Sequence, residues 1–268
     1  MGGTTTFSVG SDGVAIITIN NPPVNSLNSV VLKSLTENFD QALQKDAVKA
    51  IVVTGAKGKF SAGYDMNAID ELQEGKAGMQ LVHTLSDIME TARKPSVAAI
   101  NGPALGAGLE VAMFGIIPGG GGTQRLPRLA GLPKAIEMML KSKPVHGEEA
   151  HKFGLVDAIV SEDELLEKAR QMALDILASG KPLVSSLKKA DKIEPLGKAR
   201  EILNQARGQA PNLQHIKACL DVIEEGIVWG PDVGLSKERE VFQILLKSDT
   251  CKSLVNDFIA QGSARKVQ

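Results

Sequence analysis

The sequence has few aromatic residues, few cysteines and no long apolar run. Aromatic residues make up 3% of the chain, and its 2 cysteines, Cys219 and Cys251, lie far apart without the spacing of a metal site. No apolar run approaches the length of a membrane span, and the N-terminus, MGGTTTFSVG, lacks the basic and apolar regions of a secretory signal. These absences predict an intracellular chain with reduced thiols and no membrane span.

The sequence also has no block of charges of one sign. Lys and Arg, 30 together, nearly balance Asp and Glu, 31 together, and no basic stretch is interleaved with aromatic residues. A sequence-independent hold on the phosphate backbone needs a basic surface, so nucleic acid is not expected as a partner. A net charge of -1 with 43% hydrophobic residues indicates a globular protein that binds a small molecule.

Short β-branched runs alternate with helical patterns in the first 160 residues. Between the first two runs, Leu32, Leu35, Phe39 and Leu43 recur every three or four residues, as one buried face of a helix requires. Strands that alternate with helices predict an α/β fold with crossover connections. The predicted strands are VAIITI (14–19), AIVVTG (50–55), SVAAIN (96–101) and VDAIV (156–160).

The chain has a helical character from Ser161 onward. Ser161 and Glu164 form a capping-box pattern, and Gly180 is expected to end the helix that they begin. Further helical patterns without a convincing strand continue to the end of the chain. We therefore predict an α/β core over residues 1–190 and a helical C-terminal region over residues 191–268.

Two glycine-rich turns follow predicted strands, where α/β proteins tend to bind ligands: GKFSAGYD (58–65) and GPALGAGLE (102–110). If a helix begins at GLEVAM, the Ala107 N–H lies at its positive end, where an oxyanion is favoured. Glu110, three residues further on, shares that helical face, which indicates an acid/base centre. Singly, a glycine-rich turn is more often only a tight turn and such a glutamate only a dipole partner, so the interpretation depends on their combination.

Five stretches in a fixed order resemble the enoyl-CoA hydratase/isomerase, or crotonase, superfamily. This resemblance implies a spiral of repeated ββα units, an enzyme that binds an acyl-CoA thioester, and no cofactor, because coenzyme A is part of the substrate. The five stretches are NPPVNSLN (21–28), KAIVVTGAKGKFSAGYD (49–65), ALGAGLEVAM (104–113), GIIPGGGGTQRLPRLAG (115–131) and AHKFGLVDAIV (150–160).

The resemblance also implies roles for individual residues. The backbone N–H groups of Tyr64 and Ala107 would form an oxyanion hole for the thioester oxygen, and Glu110 would draw a proton from the water that attacks the double bond. The implied reaction is hydration of a 2-trans-enoyl-CoA in fatty acid β-oxidation, with Δ3-Δ2 isomerisation as a second activity. No metal is implied, and the implied substrate-binding residues are Ala62, Gly63, Asp65 and Gly106.

The C-terminal stretches 215–230 and 240–261 resemble peroxisomal multifunctional β-oxidation proteins, most closely those of plants. That family continues into a 3-hydroxyacyl-CoA dehydrogenase half, so the chain is expected to be an N-terminal fragment of such a protein. The resemblance implies a peroxisomal location, although the chain ends in SARKVQ rather than in a Ser-Lys-Leu signal.

One expected glutamate is missing. The family's second catalytic glutamate normally lies in a G-x-P-E turn before GIIPG, but here EVAM runs directly into FGIIPG. Roughly twenty residues, about one strand and its connections, are lacking. Either the protein lacks this segment, or the 268 residues join the two sides of a loop that the molecule contains. The second explanation is favoured, because loss of a core strand would leave backbone groups unpaired at a high cost in stability.

Two other functions remain as alternatives. A true deletion favours a non-catalytic acyl-CoA-binding module, which would bind the thioester without turnover. A serine hydrolase that uses Ser61 with His83, His146 or His151 fits poorly, because the sequence has no G-x-S-x-G elbow.

Overall fold

The structure is a computed structural model that describes residues 3–68, 78–106, 109, 121–141 and 144–253. Its strands are β1 (Thr4–Val9), β2 (Val14–Asn20), β3 (Ala50–Gly55) and β4 (Ser96–Ala99). Its α-helices are α1 (Ser29–Gln44), α2 (Gly78–Glu90), α3 (Gly122–Ala130), α4 (Leu132–Lys141), α5 (Gly147–Phe153), α6 (Leu165–Ala178), α7 (Leu196–Gln209), α8 (Gln214–Val228) and α9 (Pro231–Leu246).

The four described strands form one mixed sheet in the order β1-β2-β3-β4. β1 pairs antiparallel with β2, whereas β2, β3 and β4 are parallel. The helix α1 connects β2 to β3, and α2 precedes β4. Three of the four predicted strands are therefore confirmed, and β1 is an additional strand.

The sheet lies between two helical layers. Successive side chains of a strand point to opposite faces, and here both faces carry apolar side chains that a helix covers. On one face, Ile17, Ile51 and Val53 pack against α1, which contributes Leu32, Leu35 and Phe39. On the other face, Val14, Ala50 and Val52 pack against Ala169 and Ala173 of α6. The buried face of α1 is the one that the spacing of its leucines predicted, although Leu43 is only partly buried.

The predicted strand at residues 156–160 is wrong. These residues follow α5 without strand structure, and Ile159 is 49% exposed. A β-branched run forms a strand only when a neighbouring strand can pair with it, and no described strand does so here. The helix α6 also begins later than expected, since Ser161 donates its hydroxyl proton to the Glu164 carboxylate rather than capping a helix at Ser161.

Several helices after residue 120 pack around a core separate from the sheet, although α6 packs on the sheet itself. One core joins Leu132 of α4, Leu203 of α7 and Leu220 of α8, which are all fully buried. The division at residue 190 stays a prediction, because α6 belongs to the sheet whereas α4 packs with the later helices. Within the described ranges, no helix is both long enough and apolar enough to cross a membrane.

Candidate functional site

The two glycine-rich turns lie side by side at the carboxyl ends of β3 and β4. Ser61 connects them through its backbone, because its N–H donates to the Pro103 carbonyl (3.1 Å) and its carbonyl accepts from the Leu105 N–H (3.0 Å). Gly102 makes this approach possible, since a Cβ at that position would overlap the Gly58 carbonyl. The predicted meeting of the turns is thus present in the described residues.

Asn25, in the loop between β2 and α1, holds the first glycine-rich turn by hydrogen bonds. This residue is 3% exposed and has a left-handed backbone, with φ of 54°. Its side-chain amide donates to the carbonyls of Ala56 (3.0 Å) and Lys59 (2.6 Å), and its side-chain oxygen accepts from the Asn21 N–H (3.0 Å). Asn25 therefore satisfies backbone groups that a buried turn would otherwise leave unpaired.

The peptide between Gly63 and Tyr64 has a defined orientation. The Gly63 carbonyl accepts from the Leu27 N–H (2.8 Å), and the Leu27 carbonyl accepts from the Asp65 N–H (3.0 Å). In a trans peptide the carbonyl and the N–H point in opposite directions. The Tyr64 N–H therefore points away from Leu27.

The remaining predicted substrate-binding residues lie around this peptide. The Ala62 N–H donates to the Val24 carbonyl (3.0 Å), and Gly63 has a φ of 89°, which favours glycine. Asp65 uses its carboxylate locally, since it accepts from the Ser26 hydroxyl (3.2 Å) and the Asn67 N–H (3.0 Å). Gly106, with φ of 45°, is exposed and has open space where a Cβ would be.

Two predicted catalytic positions, Ala107 and Glu110, lie outside the described residues. The structure brings together Ala62, Gly63, Tyr64 and Asp65 in the first turn, with Gly106 in the neighbouring one. The roles assigned to these residues by resemblance stay predictions.

The Ser61 hydroxyl is paired with backbone groups and not with a histidine in the described part of the chain, and the side chain of His83 lies outside that part. Ser61 is fully buried, and its hydroxyl donates to the Asn25 carbonyl (2.7 Å) while it accepts from the Gly63 N–H (3.2 Å). His151 is exposed and its Nδ1 lies 3.1 Å from the Val156 carbonyl. Ser61 is thus a structural residue of the turn, which disfavours the hydrolase interpretation.

A glutamate that the sequence did not single out occupies the N-terminus of α3. Glu238 of α9 is 2% exposed, and its carboxylate accepts from the N–H groups of Gly121 and Thr123 and from the Thr123 hydroxyl. Burial raises the pKa of Glu238 to about 7, against the opposing effect of these hydrogen bonds and of nearby Arg125. An internal carboxylate thus fills the anion site of this helix, which argues against phosphate binding there.

The helix α3 carries further buried polar side chains. Arg125 is 1% exposed and pairs with Glu90 at the end of α2 (2.7 Å), so it ties α3 to the layer beside the sheet. Arg128 donates to the carbonyls of Gln124 (2.7 Å) and Gly226 (3.0 Å), and burial lowers its pKa. No three potential metal ligands of His, Cys, Asp or Glu come together in the part of the chain that the structure describes.

The geometry defines an α/β protein with two hydrogen-bonded glycine-rich turns at the carboxyl ends of β3 and β4. The sequence matches the enoyl-CoA hydratase/isomerase family over residues 10–115 and 112–221. The chain therefore belongs to this family, as the five sequence stretches predicted.

Individual relatives agree with this assignment. A glyoxysomal fatty acid beta-oxidation multifunctional protein of Cucumis sativus is 56% identical over 99% of this chain and 40% of its own length. An enoyl-CoA hydratase of Bacillus anthracis has a TM-score of 0.60 at 27% identity, covering 82% of this chain and 96% of that one. An enoyl-CoA hydratase of Mycobacterium avium subsp. paratuberculosis K-10 shares the fold, with a TM-score of 0.66 at 23% identity over 96% of both chains. The chain spans about 40% of the length of this Cucumis sativus relative and of two further multifunctional relatives, from Arabidopsis thaliana and Brassica napus.

The comparison also addresses the missing segment. The alignment with the Cucumis sativus protein runs over 293 positions and this chain has 268 residues, so at least 25 positions, the difference between the two, face a gap in this chain. The two stretches that match the family meet at residues 112–115, where EVAM joins FGIIPG. Met113 is followed directly by Phe114 in the full sequence, so the explanation favoured from the sequence, a loop that the molecule contains, is wrong. Among the described strands β4 is the outermost, so the backbone groups on its outer side lie at an edge of the described sheet rather than in its middle.

Proposed function

We propose that this chain is a 2-trans-enoyl-CoA hydratase of fatty acid β-oxidation. Membership of the enoyl-CoA hydratase/isomerase family over residues 10–115 and 112–221 supports this activity over a non-catalytic acyl-CoA-binding module, although the segment with the second glutamate is absent. The observation that carries the proposal is the pairing of the two turns through Ser61, since it holds them side by side at the carboxyl ends of β3 and β4, where α/β proteins tend to bind ligands. The site needs no cofactor, because coenzyme A belongs to the substrate.

The first step is polarisation of the thioester. The N–H groups of Tyr64 and Ala107 bind the thioester oxygen, which withdraws electrons from the double bond and makes Cβ electrophilic. Ala62, Gly63, Asp65 and Gly106 line the substrate beside these donors. The orientation of the peptide between Gly63 and Tyr64 supports this role for the first donor.

The second step is addition of water. Glu110 takes a proton from water as its oxygen bonds to Cβ, and the enolate charge rests on the thioester oxygen. Collapse of the enolate requires a proton at Cα, and Glu110 returns one there, so the net change is one water added across the double bond. A carboxylate that removes an α-proton and returns it at the γ-carbon would also isomerise a 3-enoyl-CoA.

The parent protein and its location are part of the proposal. The relatives are named multifunctional and are more than twice as long as this chain, which supports a 3-hydroxyacyl-CoA dehydrogenase half in the parent protein. Their peroxisomal and glyoxysomal names support a peroxisomal location. Within the chain, the proposed division stays the one made from the sequence, an α/β core over residues 1–190 followed by a helical C-terminal region.

The test is the loss of the conjugated enoyl absorbance when purified protein is mixed with a 2-trans-enoyl-CoA. Wild-type protein is expected to remove this absorbance, and Glu110→Gln to slow its loss by about 100-fold or more, because an amide cannot carry the proton. The matched control is Glu148→Gln, which changes an exposed glutamate of α5 and should leave the rate unchanged.

Two outcomes would contradict the proposal. Tight binding of the thioester without any loss of absorbance would identify a non-catalytic acyl-CoA-binding module. An equal rate for wild type and Glu110→Gln would show that another group carries the proton. Formation of conjugated absorbance from a 3-enoyl-CoA would establish the isomerase activity separately.

A further inference from the structure

We propose that Ser61 is a positioning residue for the oxyanion hole: its buried hydroxyl fixes the backbone that carries the Tyr64 N–H. This inference rests on the proposed binding of an acyl thioester. It does not depend on whether water is subsequently added.

The first step of the inference is the number of segments that Ser61 joins. Its backbone bonds to Pro103 and Leu105 in the second turn, and its hydroxyl donates to the Asn25 carbonyl in the loop before α1. These bonds are all formed by a residue with no exposed surface. Removing the hydroxyl keeps the two backbone bonds but takes away its bonds to the Asn25 carbonyl and the Gly63 N–H, at a position that is buried from solvent.

The second step is the effect on the peptides that follow. The Ser61 hydroxyl accepts from the Gly63 N–H (3.2 Å), which orients the peptide before Gly63. The peptide after Gly63 is held at its carbonyl by Leu27 (2.8 Å). Gly63 has a left-handed φ and no side chain to restrain it, so these two hydrogen bonds, together with the one from the Asp65 N–H to the Leu27 carbonyl, restrain the direction of the Tyr64 N–H.

The third step concerns the loop that receives the Ser61 hydroxyl. Asn25 presents its carbonyl to Ser61 because its own side chain is bonded to Ala56 and Lys59 on the same turn. Asn25 and Ser61 thus cross-link the loop and the turn in both directions. Such a pre-formed arrangement lets an N–H stabilise developing charge without reorganisation during the reaction.

The experiment measures carbonyl polarisation directly, with trans-cinnamoyl-CoA as the probe. The absorbance of a conjugated thioester shifts to the red when donors withdraw electrons at its carbonyl. Wild-type protein is expected to shift the spectrum on binding, and Ser61→Ala to lose most of the shift while it still binds. With a hydratable enoyl-CoA, kcat should fall by about 10-fold to 100-fold with little change in KM, as for a small misplacement of a catalytic group.

Two further variants separate positioning from stability. Thr36→Val removes another buried hydroxyl, which donates to the Leu32 carbonyl inside α1 (2.8 Å), and should keep the full red shift. Ser61→Thr keeps the hydroxyl and should restore the shift that Ser61→Ala loses. If Ser61→Ala does not fold, Ser61→Cys carries the same prediction with a weaker hydrogen-bonding group.

The outcomes distinguish this inference from the proposed activity. A red shift that is lost in Ser61→Ala supports the inference even if wild-type protein never adds water to an enoyl-CoA. An unchanged red shift in a folded Ser61→Ala protein overturns the inference while leaving hydration possible. Wild-type protein that binds the probe without any red shift also overturns it.

Discussion

The carboxyl group of Glu238 lies where water cannot stabilise its charge, and its ionisation should therefore affect stability. Burial raises its pKa in the folded protein to about 7 from a value of 4.5. Between these values the unfolded chain loses the proton while the folded protein keeps it. The free energy of unfolding should then fall as pH rises through this window, with a contribution of up to about 1.4 kcal/mol per pH unit.

The variant Glu238→Gln tests this expectation, because glutamine has nearly the same shape and does not ionise. Urea unfolding between about pH 5 and about pH 8 should show a shallower fall in stability for the variant than for the wild type. The control is Glu240→Gln, which removes an exposed carboxylate paired with Lys237 in the same helix. Equal pH slopes for wild type and Glu238→Gln would contradict the assigned pKa.

The sequence could predict the turns but not the residues that hold them. Gly102 and Gly106 predict the second turn, because turns of this type need glycine. The hydrogen bonds that hold the turns and helices together join residues at least 31 positions apart in the chain. They are formed by Asn25, Ser61 and Glu238, and no local sequence pattern predicts such distant partners. Glu238 had one indirect signal, a charged residue on a helix face that is otherwise buried.

At the scale of the elements, the spacing of apolar residues predicted the helices and strands whose formation depends on burying those residues. The helix α1 matched its leucine spacing because one face packs on the sheet, and β2 and β3 matched because both of their faces are covered. The strand predicted at 156–160 was wrong because a strand also needs a neighbouring strand to pair with, and the residue types of the run do not show whether one is present. The end of α2 and the start of α3 meet through Arg125 and Glu90, and this contact too has no local signal.

The packing of α3 between α8 and α9 depends on two glycines. A Cβ at Gly226 of α8 or at Gly234 of α9 would overlap the side-chain amide of Gln124, which is fully buried in α3. This amide donates to the Val222 carbonyl (3.1 Å) and cannot move aside without breaking that bond. Gly226→Ala should therefore lower the free energy of unfolding by about 1 to 3 kcal/mol, as overpacking of a core does.

The same helical region offers a matched control for this substitution. Gly208 in α7 has nothing within 4 Å of the position that a Cβ would take. Gly208→Ala should raise stability by about 0.5 to 1 kcal/mol, because alanine is the better helix former. Chemical unfolding measures the free energy of unfolding of both variants. A gain in stability for Gly226→Ala would show that Gln124 can be displaced at little cost.

For the molecule as a whole, the resemblance to the family predicts that the absent segment would supply two things together: about one strand and a second catalytic glutamate. Inserting the corresponding residues of the Cucumis sativus relative between Met113 and Phe114 should restore both. Stability should rise, because the added strand can pair with the edge of β4. The hydratase rate should rise by about 100-fold or more, since a second carboxylate can deliver the proton to Cα while Glu110 acts on water.

A second insertion separates the strand from the carboxylate. It carries the same residues with Gln in place of the glutamate of the G-x-P-E turn, so it restores the pairing of the strand without restoring the acid. Both insertions should unfold at higher denaturant concentration than the 268-residue chain, whereas only the insertion with the glutamate should gain the full rate of hydration. Equal rates for the two insertions would mean that the rate of hydration in the 268-residue chain is limited by the missing strand and not by the missing carboxylate. In that case Glu110 alone would supply the acid/base chemistry.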